Sequence, residues 1–274
     1  MEENFTTLEC LKIIEEHFLS NVKFLSDLPL KMAGHVKVYR YMRYSHLKEM
    51  LDKKNLVFLS PTLWEDKLEK RYLDTDFSCY GFVPPPIACL CVTTSANQNS
   101  AAAWKMYMPK EEGLDKPSDF LRVTISFYDL LKSLNCWGVE NGYDFYVGKA
   151  DYSFGQQEII DFAKNKQIFG NSFELRDWLK LLCYKRPAFS FENEIRFFAV
   201  PKQGTSTLMQ GNFLFLNSID LRTAISKIML PPAMKETDDC LTKYVVSKDL
   251  DFQEDRIEKC RLYDVPACPK IQKM

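Results

Sequence analysis

Several things this chain lacks narrow its reading first. Its 36 basic and 37 acidic residues nearly cancel, so the broad positive field that drives nonspecific binding to duplex nucleic acid is missing. Only a local basic groove could serve such a partner. Histidine is scarce: His17, His35 and His46 all stand early in the chain, far from the acidic residues discussed below, and a lone histidine is by default structural. No apolar run approaches the ~18 residues of a membrane-spanning helix. With the acidic start Met1-Glu2-Glu3, the expectation is a soluble, cytoplasmic protein with no membrane partner. The nine cysteines are odd in number and irregular in spacing, which argues against a disulfide framework and for small buried residues in a reducing compartment. Cys89 and Cys91 would share one strand face, yet no second pair follows at a finger-like spacing, so no metal is expected. Glycine is sparse at 10 residues against 20 Phe, 13 Tyr and 4 Trp. That balance excludes a disordered or fibrous chain and predicts a packed α/β core.

What is present is a succession of short strands and helices. Thr6 and Glu9 form a capping-box pattern, and Leu8, Leu11, Ile14, Phe18, Val22 and Leu25 recur at helical spacing. They predict an amphipathic helix over residues 6–26. Strands are expected at 36–42, 56–59, 87–92, 121–127, 143–152, 191–200, 212–216, 227–230 and 257–263, from alternation and β-branched or aromatic content. Helices are expected at 45–52 with Ser45 as N-cap, 97–108, 129–142, 156–183 with a break at Gly170, and 236–247. The division is an N-terminal helical segment (1–34), a catalytic domain (35–235), and a C-terminal helix and strand (236–274) packed on the same domain.

The most informative segment runs from Phe191 to Val200. Alternation places Glu192, Glu194 and Arg196 on one face of a strand, with Phe191, Ile195 and Phe197 toward the core. Two carboxylates roughly 7 Å apart repel each other unless something positive sits opposite. A cationic transition state answers that description. Arg40, Thr94 and Ser95 also stand at or near predicted strand ends, and the set suits cleavage of the nicotinamide–ribose bond of NAD⁺. That reaction builds positive charge on the ribose, which a fixed carboxylate stabilises. At ~4 Å and an effective dielectric near 20 the contact contributes about 4 kcal/mol, roughly a thousandfold in rate. In this reading Arg40 holds phosphate or ribose, Thr94 and Ser95 brace the wall, and Tyr107 stacks on nicotinamide. Tyr41 and Trp104 complete the aromatic lining, and Arg196 keeps Glu194 ionised. Each residue also has a plain structural use: Arg40 in an edge-strand ion pair, Thr93 to Ser95 as a helix cap, Trp104 and Tyr107 in the core.

Arginine on a first strand, the triplet Thr93-Thr94-Ser95 on a second and Glu192-Asn193-Glu194 on a later one resemble the arginine class of the ADP-ribosyltransferase superfamily. The resemblance implies an α/β (α+β) fold with a split, mostly antiparallel sheet around a nucleotide cleft, and NAD⁺ as co-substrate. It also implies Glu194 as catalytic glutamate and Glu192 as the residue that orients or deprotonates the acceptor. A second resemblance spans residues 36–235. The segments Val38-Tyr39-Arg40-Tyr41, Leu63 to Glu69, Cys91-Val92-Thr93, Ala103 to Tyr107 and Tyr184-Lys185 through Arg196 are similar to a widespread family of bacterial and phage proteins known chiefly by an unknown-function label. That family's phage-defence and toxin settings imply a toxic effector; its acceptor stays open among protein, RNA, DNA and simple hydrolysis, and a toxic activity requires restraint by a partner such as an antitoxin or regulatory protein. The 6–26 helix is expected to pack on its own domain, and it is the first place to look for a surface on which such a partner docks.

Two other readings use the same residues. A metal-dependent nuclease would draw on Asp66, Glu69, Glu192 and Lys185. A nonenzymatic nucleotide-binding regulatory protein would use the aromatic cleft without breaking its ligand.

Overall fold

The computed structural model describes residues 19–26, 36–94, 101–107, 120–155, 157, 172–232 and 236–262. The predicted helix over 6–26 lies outside the described residues up to position 18, and its end is different: Val22–Phe24 form a strand, β1. Val22 and Phe24 flank Lys23 in the alternation of a strand, and they pair in parallel with Phe145 and Val147. Sheet pairing that buries two large side chains outweighs the local helical period.

The remaining strands are β2 (Lys37–Arg43), β3 (Asn55–Leu59), β4 (Ala88–Thr93), β5 (Phe120–Ser126), β6 (Tyr143–Lys149), β7 (Glu194–Pro201), β8 (Phe213–Asn217), β9 (Ile225–Leu230) and β10 (Ile257–Lys259). They form one mixed, mostly antiparallel sheet in the order β1-β6-β7-β4-β2-β5-β9-β10, with β3 and β8 as a ribbon attached to β4. The pairs β1/β6 and β9/β10 are parallel. The described helices are α1 (Tyr44–Asp52), α2 (Lys67–Lys70), α3 (Ala101–Tyr107), α4 (Phe127–Asn141), α5 (Leu175–Leu181) and α6 (Glu236–Leu250). Helix α1 starts one residue earlier than expected: Arg43, not Ser45, holds the N-cap position and makes no side-chain cap bond. Burial of Leu47, Met50 and Leu51 holds that helix instead.

Strand β4 decides where the sheet opens. One edge pairs with β7 along its length, from Ala88↔Ala199 to Thr93↔Glu194. The other edge is shared. β3 meets it at Leu59↔Cys89, β2 at Tyr39↔Thr93, and the two strands part from β4 as a fork.

The long strand expected at 191–200 is shorter than its alternation suggests. Pro187–Glu192 form a 3-10 turn, and Asn193 sits in the left-handed region at φ 42°. Two causes act together. Pro187 sets the first position of the turn. The Thr93 hydroxyl donates to the Glu192 carbonyl, and the Thr94 amide and hydroxyl both donate to the Asn193 carbonyl at 3.0 and 2.9 Å. From Glu194 onward the strand is regular, with Ile195, Phe197 and Ala199 in the larger core cluster and Phe198 and Val200 in a smaller one with Trp178 and Phe77. Both faces of β7 are therefore dry. Phe191, expected toward the core, lies in the turn and is only partly buried.

Candidate active site

Glu194 and Arg196 share the β7 face that looks toward the smaller cluster, where strand alternation alone would bury two charges without solvent. Arg196 is 1% exposed. Its Nε and Nη2 donate to Glu194 at 3.1 and 3.0 Å, Nη2 also meets Glu69 at 2.5 Å, and Nη1 donates to the Leu182 carbonyl. The Trp64 ring covers the guanidinium, 4.3 Å from its centroid. Each nitrogen of this guanidinium donates to an acceptor, the condition under which a buried charge is tolerated.

Lys185 completes the cluster from the loop after α5. Its ammonium lies 2.5 Å from Glu192, 2.9 Å from Glu194 and 3.5 Å from Glu69. Thus the two glutamates do converge, although not as neighbours on one strand. Glu192 reaches the cluster from the end of the 3-10 turn, and the shared counter-ion is Lys185, with Arg196 serving Glu194 and Glu69. Glu69 is brought in by α2, whose N-cap Asp66 accepts from the Leu68 amide at 2.9 Å and pairs with Arg186 at 2.8 Å.

The two glutamates titrate apart. Burial opposes the charge of Glu194, but the Arg196 and Lys185 cations more than offset it and hold its pKa at about 2. For Glu192 burial wins over its single Lys185 partner, and the pKa is raised above its ordinary 4.5. One carboxylate is locked as an anion and the other is poised to take a proton, the division of roles that acid–base sites use. Lys185 is raised above its usual value: burial opposes its charge, and the surrounding Glu194, Glu69 and Glu192 overcome it. Since the folded pKa of Glu194 lies below its ordinary 4.5, its contribution to stability is full above about pH 4.5 and is lost as pH falls toward 2. That contribution is about 3 kcal/mol. Urea denaturation at pH 6 and pH 3 is expected to show a lower midpoint at pH 3, with the difference reduced in Glu194→Gln.

A cavity of ≈ 220 Å³ opens on this cluster, lined by Glu192, Glu194, Arg40, Tyr41, Tyr107 and Thr93, with Tyr39 and Cys91 at its walls. Arg40 comes from β2, Thr93 from β4 and the glutamates from either side of Asn193, so the cavity sits where β2 leaves β4. Of the residues expected in the cleft, Thr94 braces the wall through its bonds to the Asn193 carbonyl. Ser95 lies outside the described residues. Trp104 is buried at 2% exposure and packs edge-on against Tyr41 at 5.0 Å, as a core residue rather than a lining one. Tyr107 stacks on Tyr41 at 5.1 Å, and burial followed by the nearby Glu192 and Glu194 pushes its phenol well up. Three features of the site were hidden in the sequence: Tyr39 at the cavity, whose place needs the β2/β4 register; Tyr152, whose hydroxyl accepts from the Glu194 amide at 3.1 Å; and the bridging position of Lys185.

Counting formal charges, Glu69, Glu192 and Glu194 contribute three negatives and Lys185 and Arg196 two positives. The cluster carries one uncompensated negative charge beside the cavity. Arg40 also lines the cavity, and one of its terminal nitrogens, Nη1, is buried with no hydrogen-bond partner among the described residues. Burial lowers its pKa from the ordinary value. The site therefore presents a carboxylate side to whatever occupies it.

Comparison of the chain with family models, with curated proteins and with solved structures returns no match. Function is thus argued from the site. Among the described residues no helix is long and apolar enough to cross a membrane.

Proposed function

We propose that the chain is an NAD⁺-dependent ADP-ribosyltransferase whose reaction centre is the ≈ 220 Å³ cavity. The supporting observation is that Arg40, Glu192 and Glu194, from separate segments, line one cavity whose carboxylate side carries a net negative charge. A cavity of this size falls below the ~300–1,000 Å³ of sites that enclose a whole small molecule, so it takes the nicotinamide-ribose end of the dinucleotide. Arg40 binds the diphosphate. As the C1′–N bond breaks, its electron pair leaves with nicotinamide, and the ionised Glu194 stabilises the oxocarbenium ion that remains. The acceptor's lone pair then forms the new bond to C1′ while its proton passes to Glu192, the carboxylate with the raised pKa. Lys185 holds both carboxylates at fixed separation, so little reorganisation accompanies the charge transfer. Tyr107 supplies an aromatic wall for nicotinamide. The acceptor is a macromolecule, RNA, DNA or protein, and the setting is a toxin or phage-defence effector held in check by an antitoxin or regulatory protein.

The nuclease reading is weaker on geometry. The position that a divalent ion would take among Glu69, Glu192 and Glu194 is filled by the Lys185 ammonium, and Asp66 is engaged by Arg186. Incubation with NAD⁺ labelled in the nicotinamide ring is expected to release label, and transfer to an acceptor is expected to rise with pH through an inflection above 4.5, the ordinary value of Glu192. Absence of release in the presence of RNA, DNA and protein acceptors would sink the transferase reading. Mg²⁺-dependent cutting of nucleic acid would install the nuclease in its place.

A further inference from the structure

A second cavity, of ≈ 460 Å³, opens where β2 and β3 part, within the ~300–1,000 Å³ range of small-molecule sites. Its lining is mostly hydrocarbon. The β3–β8 ribbon contributes Val57, Leu59, Phe213 and Phe215, and the register explains why: Val57 pairs with Phe215 and Leu59 with Phe213, so the four share one face. Leu56, Phe58, Leu214 and Leu216, on the other face, fill the core. Leu63, from the turn after β3, also lines the cavity, and it and Phe213 remain 44% and 41% exposed. An apolar occupant would remove such side chains from water, which is favourable.

Polar anchors for a ligand are scarce here. Arg40 and Asn55 line the cavity, but their unbonded atoms, Arg40 Nη1 and Asn55 Oδ1, are sealed from solvent and give an occupant nothing to bond. Arg40 is moreover shared with the reaction cavity. Glu49 is paired with Lys53 at 2.5 Å, and Glu49 and His46 are both exposed on α1, so each keeps its water. A charged head group would lose hydration in this hollow without gaining a partner, the costly case. Shape argues against a planar ring. The Phe213 and Phe215 rings lie 26° from parallel with centroids 6.0 Å apart, stacked on each other, and so leave no slot between them for a third. Met42 and Met50, unbranched and adaptable, complete the lining. Walls of this kind suit a flexible chain.

We propose that the fork cavity binds an uncharged molecule with an unbranched alkyl chain, of the class of the medium-chain alcohols. The chain lies against the ribbon face and the two methionines, and the hydroxyl stays in water. Affinity comes from apolar area removed from solvent, and selectivity from the lack of any partner for a charge. The site stands on its own observations and does not require the transferase chemistry.

The test is calorimetric titration of the full chain with pentanol, hexanol, heptanol and octanol in the absence of NAD⁺. Saturable binding of one molecule per chain is expected, with affinity rising about fourfold for each added methylene. Octanoate and octylammonium, which carry a charge on the same chain, are expected to bind at least tenfold more weakly than octanol. Leu63→Asp and Phe213→Asp each set a carboxylate at a cavity position that is nearly half exposed, so both are expected to fold and to weaken octanol at least tenfold. The series on the unaltered chain decides the matter should either variant fail to fold. No saturable octanol binding at millimolar concentration, no gain with chain length, equal affinity for octanol and octanoate, or unchanged affinity in either folded variant overturns the proposal. Full displacement of octanol by NAD⁺ also overturns it, since the cavity would then belong to the dinucleotide. The titration involves no turnover, so its outcome and that of the nicotinamide-release experiment are read independently.

Discussion

Replacing Glu194 by Gln is expected to lower nicotinamide release from NAD⁺ about a thousandfold. The estimate comes from one carboxylate acting on a cationic ribose at ~4 Å with an effective dielectric near 20, which contributes about 4 kcal/mol, or nearly three decades in rate. The amide is close in shape and keeps an oxygen for Arg196, so the principal loss is the charge. That charge is normally present throughout the working pH range, because Arg196 and Lys185 overcome the effect of burial and hold the pKa at about 2. Glu192→Gln separates the two carboxylates: transfer to an acceptor is expected to fall while part of the nicotinamide release persists, since Glu192 acts on the acceptor's proton rather than on the ribose. Single-turnover assays on protein shown by circular dichroism to be folded make the comparison. A Glu194→Gln variant that releases nicotinamide within tenfold of the unaltered rate would remove Glu194 from the reaction.

Arg196→Met is expected to destabilise the fold by about 3–5 kcal/mol, the range for breaking a buried ion pair from one side. The guanidinium bonds Glu194, Glu69 and the Leu182 carbonyl at once and stacks beneath Trp64. Without it two buried carboxylates keep Lys185 as their cation, and a buried carbonyl loses its donor. Arg196→Lys is expected to recover part of the loss, because an ammonium restores the charge but cannot span three acceptors as a planar fork does. The urea midpoint is the readout. A midpoint unchanged in Arg196→Met would show that the cluster adds nothing to stability, and its role would then be confined to catalysis.

Much of the sheet was legible because alternation and β-branched or aromatic runs mark strands wherever one face is buried. The expected strands near 36–42, 87–92 and 121–127 correspond to β2, β4 and β5 with small shifts at their ends. The helix expected at 129–142 is α4, closed by Gly142 in the left-handed region. Two of the places where pattern failed are ones where distant partners intervened. Val22 to Leu25 continue a helical period in sequence, yet β6 draws Val22–Phe24 into the sheet. Glu192 continues the alternation of β7 in sequence, yet Thr93 and Thr94 capture the carbonyls of Glu192 and Asn193 and turn the chain.

Composition and periodicity were sufficient to establish a mixed α/β chain and to single out the acidic pair with its following arginine, because these follow from side-chain character and local spacing, whereas the mostly antiparallel sheet was an expectation from the family resemblance. The convergence of Glu69, Lys185 and Glu192 on Glu194, the opposite pKa shifts of the two glutamates and the fork that opens both cavities depend on contacts between residues up to about a hundred or more positions apart. Such contacts arise from strand register and from the way buried charges must find partners, and neither is written in the order of neighbouring residues.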